Sequence, residues 1–139
     1  SIIGPEIKGN GEGIFHWFMN QQGEIPGFTK VIWSGVTTIE LTKVIKWSID
    51  NEVTGLYHVT NNSSINKYDL LKLFQKYTKK DISIRPVNGK NVDKSFIDTR
   101  LLMTEKIQSY DQMISDMTSL IVKNRSLYSQ YKIGSYDKE

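Results

Sequence analysis

The chain has 139 residues, 38% of them hydrophobic and 24% charged, which is the size and composition of one ordinary globular domain with one core. No apolar run approaches the roughly 18 residues that a bilayer span needs, and no secretion leader is read at Ser1, so a cytoplasmic location is expected. The absence of cysteine excludes disulfides and thiolate chemistry, and the two isolated histidines, His16 and His58, do not make a zinc site.

The net charge of +3 is spread along the chain rather than gathered on one stripe between aromatics, which argues against a nucleic-acid partner. Ser1-Ile2-Ile3-Gly4-Pro5 reads as the end of a buried strand running into a turn, so a preceding segment is expected. Gly9, Gly11 and Gly13 form a flexible connector, and Phe15 and Phe18 recur at helical spacing on a short helix that Gly23 and Pro26-Gly27 terminate. Thr29 to Trp33 is a strand. Thr37 followed by Glu40 is a capping box that opens a helix with Leu41, Val44 and Ile45 inward.

Gly55 to Thr60 reads as a second strand. Asn66 caps the next helix, Lys67 to about Lys79, with Leu70, Leu71, Phe74 and Tyr77 as its core face. Ile82 and Ile84 mark a strand stopped by Pro86, expected to lie parallel to Leu56–Val59, and 88–94 is a polar loop. Ser109 to Gln112 caps a last helix with Met113, Ile114, Met117, Leu120 and Ile121 inward, and the tail from Ser129 is expected to fray. The pattern is α/β, a small parallel or mixed sheet with helices packed on it.

No motif by itself fixes the chemistry. The G-x-G-x-G of Gly9, Gly11 and Gly13 lacks the spacing and the downstream acid of a dinucleotide loop. Tyr68 with Lys72, and Tyr128 with Lys132, satisfy Y-x-x-x-K, but seven tyrosines among so many lysines produce about one such match by chance. Trp17 and Trp33 are either core or the stacking wall of a sugar or base site. Arg100 either pairs with a carboxylate such as Asp98 or offers its fork to a diphosphate. His58 reads as a hydrogen-bonded buried or half-buried side chain rather than a base.

The order of segments carries more. Ser1-Ile2-Ile3-Gly4-Pro5-Glu6, Phe15-His16-Trp17-Phe18, Val31-Ile32-Trp33-Ser34-Gly35-Val36-Thr37, Gly55-Leu56-Tyr57-His58-Val59, Ile65-Asn66-Lys67-Tyr68-Asp69-Leu70 and Asp93-Lys94-Ser95 through Arg100 stand in one sequence. Together they resemble the C-terminal part of extended short-chain dehydrogenase/reductases, especially dTDP-4-dehydrorhamnose reductase-like sugar-nucleotide reductases. The resemblance implies that residues 1–139 are one substrate-binding domain of an extended Rossmann-type reductase. The parent would use NAD(P)H, bound by an N-terminal domain outside this chain, to reduce a nucleotide-linked 4-keto-deoxysugar for polysaccharide synthesis. By position, Ile2, Ile3 and Gly4 would lie beside the nicotinamide, and Trp17, Trp33, Ser34, Gly35, Val36, Thr37 and Arg100 would meet the sugar nucleotide. No catalytic residue, metal ligand or membrane contact is assigned to this part, which alone is expected to be inactive and to bind no cofactor; homodimerisation is left open. The alternatives are an epimerase or dehydratase of the same superfamily, or a non-enzymatic carbohydrate- or protein-binding module.

Overall fold

The computed structural model describes residues 2–103 and 106–134, so that Ser1 and the last five residues of the tail lie outside the described residues. In chain order the elements are β1 (Ile2–Ile3), α1 (Ile14–Met19), β2 (Glu24–Phe28), β3 (Val31–Trp33), β4 (Val36–Thr37), α2 (Thr38–Asp50), β5 (Ile65–Asn66), α3 (Lys67–Thr78), β6 (Ser83–Val87), β7 (Val92–Lys94) and α4 (Tyr110–Lys123). The α/β class expected from the sequence is the one found. The strands are distributed over three small sheets: parallel β1–β4, parallel β2–β6, and a mixed sheet in the order β5–β3–β7.

The helix starts follow local chemistry. Asn66 Oδ1 accepts the Asp69 N–H at 2.8 Å and Ser109 Oγ accepts the Gln112 N–H at 3.2 Å, while Thr37 Oγ1 takes the Glu40 N–H more loosely at 3.5 Å. The core is built on α1, α3 and α4. Phe15, Phe18 and Phe74 have no exposed surface, with Phe15 meeting Phe74 edge-on at 5.2 Å, and Met113, Ile114, Met117 and Ile121 cover them from α4. On α2 only part of the expected stripe is inward: Val44 is buried, Leu41 is partly buried, and Ile45 is exposed.

Several expectations are corrected. The parallel partner of Ser83–Val87 is Glu24–Phe28, with Ile25 opposite Ile84, and not the segment Leu56–Val59. Residues 56–60 make no strand: Leu56 is 78% exposed, and the carbonyls of Thr54 and Leu56 accept hydrogen bonds from Arg100 Nη1 at 2.9 and 3.0 Å instead of a ladder. Pro26-Gly27 and Pro86, expected to end elements, lie inside β2 and β6, where Gly27 stands opposite Pro86. Every strand of a two-stranded sheet has a free edge, so a proline's missing N–H can face away from its partner. The loop 88–94 contains β7, paired in parallel with β3.

The tail is corrected as well. Tyr131 and Ile133 are 6% and 2% exposed, and the Gly134 N–H bonds the Thr78 carbonyl at 2.9 Å, so residues 129–134 return across the core. His58 is exposed, its Nδ1 donating to the Ile97 carbonyl at 3.1 Å with the ring edge-on to Phe96.

Gly27 reports how closely α3 lies on β2. A Cβ there would stand 2.6 Å from Tyr68 Cδ2 and 3.1 Å from Tyr68 Cα, the second of which is backbone and cannot swing aside. Gly27→Ala is expected to cost about 2 kcal/mol by forcing that helix off the sheet. Urea denaturation checks it, and an unchanged midpoint would mean that the contact yields freely.

Candidate functional site

The mixed sheet assembles the region on which the sequence reading converged. Trp33 is central: β5 pairs antiparallel on one side, with Ile65 opposite Trp33, and β7 pairs parallel on the other, with Lys94 opposite Trp33. Because β5 runs directly into α3 and is antiparallel to β3, Lys67, the first residue of that helix, follows Asn66 toward the Val31 end of β3 and lines the same cleft as Val31 and Trp33. After the turn at Ser34-Gly35, β4 pairs with β1, Ile2 opposite Val36 and Ile3 opposite Thr37. Ile2 and Ile3, expected at the nicotinamide, are therefore neighbours of Val36 and Thr37, expected at the sugar nucleotide. Gly4 lies tight against α2, where a Cβ would meet Thr38 Cγ2 at 2.5 Å.

Two clefts open here. The first, about 240 Å³, is lined by Ile2, Ile3, Ile14, Trp33, Lys67 and Lys94 among others. The second, about 410 Å³, is lined by Glu12, Ile14, Trp17, Pro26, Phe28 and Lys67 among others. Ile14 and Lys67 line both, so the two are adjoining parts of one groove. Its walls suit a ligand with a flat ring at one end and an anion in the middle. Trp17, 40% exposed, and Phe28 offer aromatic faces, and Lys67 and Lys94 offer ammonium groups. Among the described residues neither lysine is in a salt bridge, whereas Lys43, Lys46, Lys76 and Arg85 are each paired with a carboxylate. Glu12, on the rim of the larger cleft, is the one carboxylate in the lining.

The sequence reading missed both lysines, although a signal was present. A lysine at the first position of a helix opposes the macrodipole, and Lys67 stands there directly after its Asn66 cap.

The remaining predicted residues are placed as follows. Trp33 is 9% exposed, its ring 5.9 Å from that of Tyr110, so it is core on one side and cleft wall on the other. Ser34, Val36 and Thr37 are 1 to 2% exposed. Ser34 Oγ donates to the Phe96 carbonyl at 3.2 Å and accepts the Phe96 N–H at 2.8 Å, anchoring the segment after β7. Gly35 is buried in the same turn. Arg100 lies away from the groove: its guanidinium holds the 54–56 carbonyls and stands 5.8 Å from the Tyr57 ring, while its N–H bonds Asp98 Oδ1 at 3.0 Å.

In the pair Tyr68 and Lys72 the two side chains are engaged elsewhere. The Tyr68 ring covers Gly27 and Lys72 Nζ bonds Gln75 Oε1 at 2.8 Å. The glycine connector does not fit a dinucleotide pyrophosphate. Its amides are taken by an internal anion, Glu6, whose Oε1 accepts the Gly13 N–H at 2.6 Å and whose Oε2 accepts the Glu12 N–H at 3.2 Å. Among the described residues there is no cluster of metal-ligating side chains, and no helix is long and apolar enough to cross a membrane.

No protein-family profile and no curated sequence matches the chain. Its fold is shared with part of solved structures of a dTDP-4-dehydrorhamnose reductase, a UDP-N-acetylglucosamine 4-epimerase and a dTDP-glucose 4,6-dehydratase. Among solved structures it is similar to dTDP-4-dehydrorhamnose reductase from Bacillus anthracis str. Ames in complex with NADP, with a TM-score of 0.71 and 17% identity over 86% of this chain and 45% of that one. The UDP-N-acetylglucosamine 4-epimerase of Methanobrevibacter ruminantium M1 in complex with UDP-N-acetylmuramic acid follows at TM-score 0.65, 12% identity, 88% of this chain and 44% of that one. A GDP-L-fucose synthetase from Naegleria fowleri bound to NADP gives 0.61, 12%, 91% and 44%. The chain thus spans less than half the length of the structures it resembles.

Proposed function

We propose that the chain is the sugar-nucleotide-binding portion of an NAD(P)-dependent reductase that acts on a nucleotide-linked 4-keto-deoxysugar in cytoplasmic polysaccharide synthesis. The observation that carries the reading is the fold match to part of dTDP-4-dehydrorhamnose reductase, at a higher TM-score than to the epimerase. The groove supports it: an aromatic wall at Trp17 and Phe28 for the base, Lys67 and Lys94 for the diphosphate, and Trp33 for the sugar, with Ser34 to Thr37 buried behind it and lining neither cleft.

On this reading Ile2, Ile3 and Gly4 border the nicotinamide, whose hydride reduces the sugar carbonyl when the cofactor is bound. The domain that would hold the rest of the cofactor belongs to the remainder of the parent protein. The contribution of this chain is orientation and exclusion of water, which lower the barrier without any bond-making group of its own. The Arg100 guanidinium is engaged by loop carbonyls, so Lys67 and Lys94 are the phosphate-facing cations.

Calorimetric titration of the purified chain tests the division of labour. Saturable binding of dTDP and none of NADPH is the expected result. Micromolar NADPH binding without dTDP binding would overturn it. In the full-length parent, NADPH oxidation driven by a dTDP-4-keto-6-deoxysugar is expected, and redox-neutral conversion of the sugar without net NADPH consumption would favour the epimerase or dehydratase reading.

A further inference from the structure

We infer that the C-terminal segment 130–134 is a strap that sets the position of the groove wall at Glu12, Ile14 and Trp17, and that Tyr131 is its positioning residue. This rests on the proposed ligand for the groove but reaches residues that touch no ligand.

The connection can be followed atom by atom. Tyr131 Oη accepts the Glu6 N–H at 2.9 Å, and the Gln130 side-chain amide donates to the Glu6 carbonyl, so both backbone polar groups of Glu6 are held by the strap. The Glu6 carboxylate in turn accepts the Gly13 and Glu12 N–H groups. Gly13 is the N-cap residue of α1 and has no side chain with which to cap it. Glu6 therefore accepts the N–H of the N-cap residue, the bond that the N3 carboxylate of a capping box makes, but from outside the helix. The enclosure is close: a Cβ at Gly11 or Gly13 would stand 2.5 or 2.7 Å from a Glu6 carboxylate oxygen.

Beyond Gly13 the next turn carries Ile14 and Trp17 into the groove. The strap is itself fixed at its far end by Ile133 in the core and by the Gly134 bond to Thr78.

The Tyr131 hydroxyl meets two hydrogen-bond neighbours. It accepts from the Glu6 N–H and shares a hydrogen bond with His16 Nδ1, 2.9 Å away. Burial pushes the phenol above its usual range, so it stays neutral. Its ring meets Phe15 edge-on at 5.3 Å, so that removal of the oxygen alone leaves the packing in place.

The test is Tyr131→Phe in the whole chain, beside Thr118→Val, which removes another buried hydroxyl bond, to Ile114, on α4. Amide hydrogen exchange at Glu12 and Gly13 is expected to rise about tenfold in Tyr131→Phe and not in Thr118→Val, with dTDP affinity falling about fivefold in the first variant alone. Unchanged exchange at Gly13 overturns the strap whatever the nucleotide result. Equal effects from both variants also overturn it, since they would show general destabilisation. If the unaltered chain binds no dTDP, the functional reading fails, and the exchange rates still decide the strap.

Discussion

Replacing Lys67 and Lys94 together by glutamate is expected to lower the affinity of the chain for dTDP by about a hundredfold while leaving its urea midpoint nearly unchanged. Each lysine faces the groove and is in no salt bridge among the described residues, so removing it breaks no ion pair. A single charge about 5 Å from a phosphate in water-like surroundings is worth roughly 1 kcal/mol, and reversal doubles the effect at each site. Two reversals against a diphosphate thus reach the roughly 3 kcal/mol that a hundredfold change requires. Stability should hold, and at Lys67 it should improve slightly, because a carboxylate at the first position of α3 favours the helix dipole where the lysine opposes it. The salt dependence of dTDP binding should weaken in the double variant, since the charges that responded to screening are gone. Unchanged affinity with intact stability would remove the phosphate from this groove.

Deleting residues 129–139 is expected to leave a chain that no longer folds at 25 °C. Tyr131 and Ile133 are nearly fully buried, and burying side chains of that size stabilises by about 2 kcal/mol each. Lost with them are the Tyr131 hydrogen bonds to Glu6 and His16 and the Gly134 bond to Thr78, each worth about 1 kcal/mol. The loss, about 7 kcal/mol, exceeds the lower end of the roughly 5–15 kcal/mol that holds a domain together. Circular dichroism and urea titration measure it. A truncated chain with the original midpoint would restore the frayed tail. Ile133→Ala, expected to cost about 3 kcal/mol, gives a graded check in a chain that still folds.

Much of this architecture was legible in the residues because it depends on near neighbours. Thr37, Asn66 and Ser109 cap helices through amides three residues away, and the apolar stripes of α3 and α4 follow from a period that any reader of the chain can count. Strand identity was less legible. Gly55 to Thr60 has the alternation of a strand, yet strand status depends on a partner, and here the side chain of Arg100 occupies the carbonyls that a partner would use. Pro26 and Pro86 looked like terminators because a proline interrupts a ladder; they are tolerated because a two-stranded sheet is all edge.

The candidate site divides in the same way. Trp33 could be singled out as an aromatic standing beside a glycine and a cap, and Trp17 from its indole, whereas Ser34 to Thr37, singled out with Trp33, are buried and line neither cleft. Lys67 and Lys94 could not be joined by reading along the chain, because 27 positions separate them and only the pairing of β3 with both β5 and β7 brings them to one groove. The amino-acid sequence by itself determined the α/β class, the helix boundaries and the order of segments, all consequences of local capping and periodicity. Which strands pair, which cations share a cleft and whether the tail is core or solvent were decided by tertiary packing, because each depends on contacts between residues far apart in the chain.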